Sequence, residues 1–207
     1  MIVLTDDQGY GDMSCHGNPV VKTQAIDRLH SESVRFTDFH VAPMCSPTRG
    51  QLMSGMDALR NRARATDTGR SLLRTDVPTM ANVFAGAGYV TAMFGKWHLG
   101  DNYRYRPMDR GFDVAKYHLG GGMVSVSELD NDYFDGTYQD NGQAKRFSGY
   151  RTDFWFDEPG TGYRPGQLRR SLSCAIWPPT LPMARSGWRR STRLLTGVQA
   201  CLPSSTA

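Results

Sequence analysis

At 207 residues, with 39% hydrophobic and 11% aromatic residues, the chain is long enough for one domain of ordinary size with its own core. No run of about 18 apolar residues occurs, so no helical membrane span is expected. Met1 leads straight into an apolar stretch too short for a secretory leader, so no export signal is expected in these residues. The four cysteines (Cys15, Cys45, Cys174 and Cys201) stand far apart with no CxxC spacing. That argues against a disulfide scaffold or a zinc ribbon and fixes no redox compartment.

The formal net charge of +4 hides a partition. Residues 1–158 hold 17 of the Lys and Arg residues and all 20 acidic ones, whereas residues 159–207 hold seven arginines, no lysine, no acid and six of the eleven prolines. The expected organisation is therefore a folded part over 1–158 and a poorly ordered tail over 159–207. A basic tail is a candidate nucleic-acid ligand, but this one lacks regular interleaving of basic and aromatic residues, so no nucleic-acid partner is expected.

Ile2, Val3 and Leu4 read as a buried strand that stops at Asp6-Asp7. A loop, "DQGYGD", follows. Thr23 is placed to cap a helix carrying Ile26 and Leu29. Val34, Phe36, Phe39 and Val41 read as a second strand leading to Pro43 and Cys45. Ser46-Pro47, followed by Leu52, Met53, Met56 and Leu59, marks a helix start just after Cys45. Residues 65–76 are a polar connection. Met80, Val83, Phe84 and Ala87 share one helical face, with Thr79 as cap and Gly88 closing the helix in a left-handed conformation. Tyr89 to Phe94 is a strand, and "GKWHLGD" follows it at once. Residues 101–150 are rich in Gly, Asp, Asn and Tyr, and long loops with short elements are expected there. Strands alternating with helices imply an α/β fold with a largely parallel sheet, whose ligands sit beyond the carboxyl ends of the strands.

Three reactive clusters fall just after three of these strands. Asp6 and Asp7 offer hard oxygen donors to Ca²⁺ or Mg²⁺ if the strand end turns, though a solvated turn explains a lone pair of aspartates equally well. Asp12 is read as structural. Cys45 stands at a helix N-terminus with Arg49 one turn in, and both favour an anion. An isolated cysteine is more often buried and inert. Lys96 and His98, two apart, share a face if the extended backbone continues, and Trp97 then points into packing. His16, His30, His40 and His118 show no ligand spacing and are read as structural or exposed. A cationic site beside acidic residues suits a compact oxyanion such as a sulfate or phosphate ester.

Cys45-Ser46-Pro47-Thr48-Arg49-Gly50 resembles the sulfatase signature C-x-P-x-R. "LTDDQGYGD" at 4–12, "GKWHLG" at 95–100 and "YRPMDRGFD" at 105–113 are similar to further motifs of that family, in the same order. The resemblance covers residues 1–158 and points to arylsulfatase-like enzymes. It implies an alkaline-phosphatase-like three-layer α/β sandwich with a largely parallel central sheet, here incomplete. It implies that a separate formylglycine-generating enzyme oxidises Cys45 to Cα-formylglycine, whose hydrate attacks the sulfur of a small-molecule or carbohydrate sulfate ester and then expels sulfate. It also implies that Asp6, Asp7 and the modified Cys45 bind Ca²⁺, or Mg²⁺. Arg49 would then hold the formylglycine and the metal carboxylates, Lys96 the sulfate and His98 the formylglycine hydroxyl. Relatives hydrolyse phosphonate or phosphate esters on the same scaffold, and a non-catalytic product with an anion-binding tail is a third reading. Members of the family are mostly periplasmic, secreted or lysosomal.

The resemblance also implies a second Asp-Asn metal pair, a second histidine and a second lysine, none of which can be placed in residues 159–207. That tail reads like a GC-rich gene translated out of frame. One permitted codon set for residues 175–188 yields YLATNAPHGPVWV in a shifted frame, which resembles the segment bearing the second histidine. A frameshift between about 158 and 172 is therefore expected, and with it absent or very weak turnover by these 207 residues.

Overall fold

The computed structural model describes residues 1–67, 70–122, 132–161 and 171–176. It divides into two compact units, one built from Met1–Asp7 with Phe39–Thr180, the other containing Gln8–Asp38. In chain order come β1 (Ile2–Leu4), α1 (Gln24–Glu32), α2 (Cys45–Ser54), α3 (Ala58–Asn61), α4 (Met80–Gly86) and β2 (Val90–Lys96). Then follow β3 (Val114–His118), β4 (Thr137–Asp140), β5 (Gln143–Arg146), α5 (Arg151–Thr161) and β6 (Ser171–Ile176).

The larger unit is organised around one sheet in the order β1-β6-β2-β3-β4-β5. The first four strands in that order run parallel, and β4 and β5 close the far side as an antiparallel hairpin. The hairpin turns at Asn141-Gly142, both at positive φ (49° and 86°), as a two-residue turn between twisted strands requires. Six residues of the segment read from the sequence as a tail, Ser171–Ile176, supply β6. The remainder of that segment, except the end of α5, lies outside the described residues.

Period-2 alternation in β2 separates two cores. Met93 faces a cluster with Met53 of α2, Ala81 of α4, Trp97, Leu99 and Phe112, against which Ile2 and Leu4 of β1 also pack. Ala92 and Phe94 face the opposite cluster, with Tyr138, Phe147 and Trp155 of α5. Helices thus cover both faces, the three-layer arrangement that a buried parallel sheet needs. On the second face Arg151 is almost fully buried; its guanidinium lies over the Phe147 and Trp155 rings at 5.6 and 5.9 Å.

Several local expectations hold. Thr79 Oγ1 accepts from Asn82 N at 3.2 Å while Asn82 Oδ1 accepts from Thr79 N at 2.9 Å, a reciprocal cap for α4. Gly88 follows in the left-handed region, at φ 82°. Others are corrected. Thr23 precedes α1 but makes no cap bond; its hydroxyl instead donates to Asp27 Oδ1 at 2.7 Å. The periodicity running to Leu59 is split: Gly55, at φ 65°, ends α2 by donating to Gln51 O at 2.8 Å. Asp57 then caps α3 by accepting from Leu59 N. Val34 to Val41 forms no strand, and Val34, Phe36, Phe39 and Val41 are exposed. Apolar alternation alone does not satisfy a strand's backbone groups; it needs a neighbour to bond.

The smaller unit is held by a side-chain knot. Asp27 of α1 accepts from Ser14 Oγ at 2.5 Å and from Cys15 N at 2.9 Å, tying the 3-10 turn Ser14–His16 to the helix. Among the described residues, no helix is long and apolar enough to cross a membrane.

Candidate active site

The carboxyl ends of β1 and β2 and the first turn of α2 meet in the larger unit. The sequence placed Cys45 just ahead of the helix; it is the first residue of α2, after Met44 as N-cap. Pro47 lies in the first turn, where its missing N–H costs nothing. Thr48 Oγ1 donates to Ala42 O at 2.9 Å and so secures the incoming chain. Gly50 lets the helix approach closely: a Cβ there would lie 2.7 Å from the Ala63 Cβ.

Arg49, one turn along the same helix, is buried to 1% exposure and organises the site. Its Nη1 donates to Lys96 O at 2.7 Å, and its Nη2 lies 3.3 Å from Asp6 Oδ2. Lys96 Nζ donates to the same carboxylate oxygen at 2.5 Å. One buried carboxylate therefore stands between two buried cations, in a setting where breaking the set strands a charge. Asp7, next in the chain, is exposed and sits at φ 54°. The backbone turns at the aspartate pair instead of continuing extended.

Beyond Lys96 the chain also turns. His98 adopts φ 56°, so the shared face of Lys96 and His98 comes from this kink and not from continued strand. Trp97 points the other way, fully buried, with Nε1 donating to Tyr105 O at 2.8 Å. The imidazole links Cys45 to the polar connection: Nδ1 lies 3.2 Å from Cys45 Sγ, and Nε2 lies 3.2 Å from Thr66 O. A carbonyl only accepts, so Nε2 carries the hydrogen. Burial, then the neighbouring Lys96 charge, pushes the His98 pKa down to about 4, so the ring is neutral near pH 7. In that tautomer Nδ1 is a bare acceptor facing Cys45.

Cys45, His98, Arg49, Lys96 and Asp6 thus form one connected set. Two groups that sequence reasoning passed over complete it. Ser46 Oγ donates to His98 O at 2.9 Å, fully buried. Gly121 lies against the His98 ring, where a Cβ would come within 2.7 Å of Cε1. The serine stood beside Cys45 in the motif; nothing in the sequence marked the glycine as a neighbour of His98.

The donor chemistry at the end of β1 fits a hard divalent cation. Asp6 and Asp7 offer only carboxylate oxygens, and Arg49 and Lys96 already offset the charge of Asp6, so an added cation would make the cluster an anion site. Two carboxylates are only part of the six to eight oxygens that Ca²⁺ takes.

The fold is the α/β type of the alkaline-phosphatase-like enzymes, shared with solved structures. BT4656, solved in complex with D-glucosamine-2-N,6-O-disulfate, matches with a TM-score of 0.65 and 26% identity, over 86% of this chain and 33% of that one. Ps i-CgsB, in complex with k-i-k-neocarrahexaose, matches with a TM-score of 0.72 and 23% identity, over 89% and 46%. The sulfatase family profile matches residues 1–158, and the chain belongs to that family. Among curated relatives, arylsulfatase G of Rattus norvegicus is 42% identical over 123 residues, 58% of this chain and 23% of that protein. The match therefore spans about a quarter of that relative's length.

Proposed function

We propose that residues 1–158 carry part of the active centre of an arylsulfatase-like sulfuric ester hydrolase. The observation that carries this reading is the contact of Cys45 with the bare Nδ1 of His98, at a helix start flanked by Arg49 and Lys96. Such a site holds an anionic ester and accepts a proton from whatever group stands at position 45.

In this reading Cys45 is converted to Cα-formylglycine, and its hydrate would supply the attacking hydroxyl. Asp6, Asp7 and the modified Cys45 would hold Ca²⁺, or Mg²⁺, which neutralises sulfate charge. Arg49 fixes the assembly from within by tying Asp6 to the end of β2. Lys96 supplies a cation to the ester oxygens. His98 Nδ1 takes the proton, and the bond to Thr66 keeps Nε2 from competing for it. The substrate class is a small-molecule or carbohydrate sulfate ester, in keeping with the sulfated sugar bound by BT4656.

Turnover by this chain alone is expected to be absent or very weak, because Asp6, Asp7 and the modified Cys45 supply only part of the six to eight oxygens that a Ca²⁺ ion takes. Co-expression with a formylglycine-generating enzyme should convert Cys45, read by mass spectrometry on the peptide containing residues 43–50. An unconverted cysteine would remove the formylglycine reading. The converted chain, with Ca²⁺, is then assayed on 4-nitrophenyl sulfate and on a phenyl phosphonate ester. Any turnover should favour the sulfate and vanish in Cys45→Ala; preference for the phosphonate would replace the sulfatase reading, and substantial turnover would refute the under-filled shell.

A further inference from the structure

The smaller unit brings together three side chains that have no part in the centre described above. Cys15 and His16 end the 3-10 turn Ser14–His16, and His30 lies in the last turn of α1. One ligand atom from each lies within 4.8 Å of the others, and all three residues are half-buried. We propose that Cys15, His16 and His30 form a second metal site, for a soft or borderline cation such as Zn²⁺.

The donors argue for this class of ion. One sulfur and two imidazoles match Zn²⁺, whereas Ca²⁺ and Mg²⁺ take oxygen. Tetrahedral Zn²⁺ holds such ligand atoms roughly 3.3–3.6 Å apart, given metal–ligand distances of about 2.0–2.3 Å. From separations of at most 4.8 Å, the ligand atoms need to close by at most about 1.5 Å, within the reach of χ rotations. The scaffold beneath them needs no metal: Asp27 accepts from Ser14 Oγ and Cys15 N, and Ser14 N donates to Thr23 Oγ1 at 2.9 Å.

The His16 tautomer leaves one ring nitrogen free to bind a cation. Its Nδ1 lies 2.7 Å from Tyr10 O, so Nδ1 carries the hydrogen and Nε2 presents a lone pair. A ring nitrogen bonded to a backbone carbonyl is the usual support for a metal-binding imidazole. The Tyr10 ring stacks on the imidazole at 4.0 Å and 9°, holding its plane. The His16 and His30 rings meet edge to face, with centroids 5.6 Å apart. The Asp27 carboxylate lies directly behind Cys15, accepting from its N–H at 2.9 Å. One group opposes the site. Arg35 Nη1 lies 3.4 Å from His30 Nε2, a long contact that a metal would displace.

The test uses the full chain with Co²⁺ as spectroscopic probe and Zn²⁺ as competitor. One equivalent of Co²⁺ should give a sulfur-to-cobalt charge-transfer band, lost on adding Zn²⁺. The band should survive Cys45→Ser and disappear in Cys15→Ser and His30→Ala, while Arg35→Gln should tighten binding several-fold. Zn²⁺ should also protect Cys15 from alkylation by iodoacetamide in the unaltered chain, read on the Cys15 peptide. That measurement depends on no variant folding. A band that persists in Cys15→Ser, or alkylation of Cys15 that Zn²⁺ does not slow, would overturn the site.

Discussion

At the scale of single residues, the candidate centre is held by charge as much as by packing. The Asp6 carboxylate meets both Lys96 and Arg49, and all three are nearly inaccessible. Asp6→Asn keeps the shape but leaves two cations without their counter-charge. It should destabilise the chain by about 3–5 kcal/mol, read as a lower urea midpoint; an unchanged midpoint would show that the cations are solvated after all. A buried histidine sets the acid limit. His118 ends β3 opposite Lys96, and burial, then the charge of Arg151, holds its pKa well below 6.5. The unfolded chain therefore binds a proton that the folded chain refuses, so stability falls as pH drops below about 6.5 and is unaffected above it. His118→Leu should flatten part of that decline in unfolding experiments run from pH 7 to pH 5. His98, whose shift has the same direction, adds to the decline that remains. An unaltered slope in the variant would contradict the burial argument.

At the scale of elements, α2 shows a local rule reversed by its surroundings. Glycine inside an exposed helix costs about 1 kcal/mol relative to alanine. At position 50 an added methyl would meet the Ala63 Cβ at 2.7 Å and Asn61 Nδ2 at 3.1 Å, and Asn61 is itself fixed by bonds to Met56 O and Ala63 N. Gly50→Ala should therefore destabilise, by about 1–3 kcal/mol, where propensity alone predicts a gain. Thermal unfolding of the variant decides the sign. The same element shows what the sequence makes legible. The cap at Thr79 and the inward Trp97 follow from local chemistry and are found as expected, and the helix start read at Ser46-Pro47 is found one residue earlier, at Cys45. The contact of Lys96 with Asp6 joins residues 90 apart and depends on which strands lie near each other, which no local pattern specifies. Val34 to Val41 fails for the converse reason: the pattern is that of a strand, but a strand is completed by a partner the pattern does not contain.

At the scale of the whole molecule, the sheet makes an unexpected use of the basic segment. β6 sits between β1 and β2 and is the only strand that β1 pairs with among the described residues, through Ile2, Val3 and Leu4. Its other edge pairs with β2 from Val90 to Gly95. Among the described residues, the pairing that anchors β1 in the sheet thus runs through residues that composition would assign to a tail. Asp6 stands two residues past the end of β1, so its place beside Lys96 and Arg49 depends on that anchorage. Two truncations separate the possibilities. A chain ending at Ile176 keeps β6 and should keep the slow amide exchange of residues 2–4. A chain ending at residue 158 loses β6, leaves two strand edges open to solvent and to other chains, and should release β1. Its amides at 2–4 should exchange like those of an unfolded peptide, its unfolding midpoint should fall, and Asp6→Asn should then cost little, because the carboxylate is no longer held between its cations. If the chain ending at 158 instead protects residues 2–4 as well as the intact chain does, β1 is anchored by packing of Ile2 and Leu4 on the core alone, and β6 is dispensable.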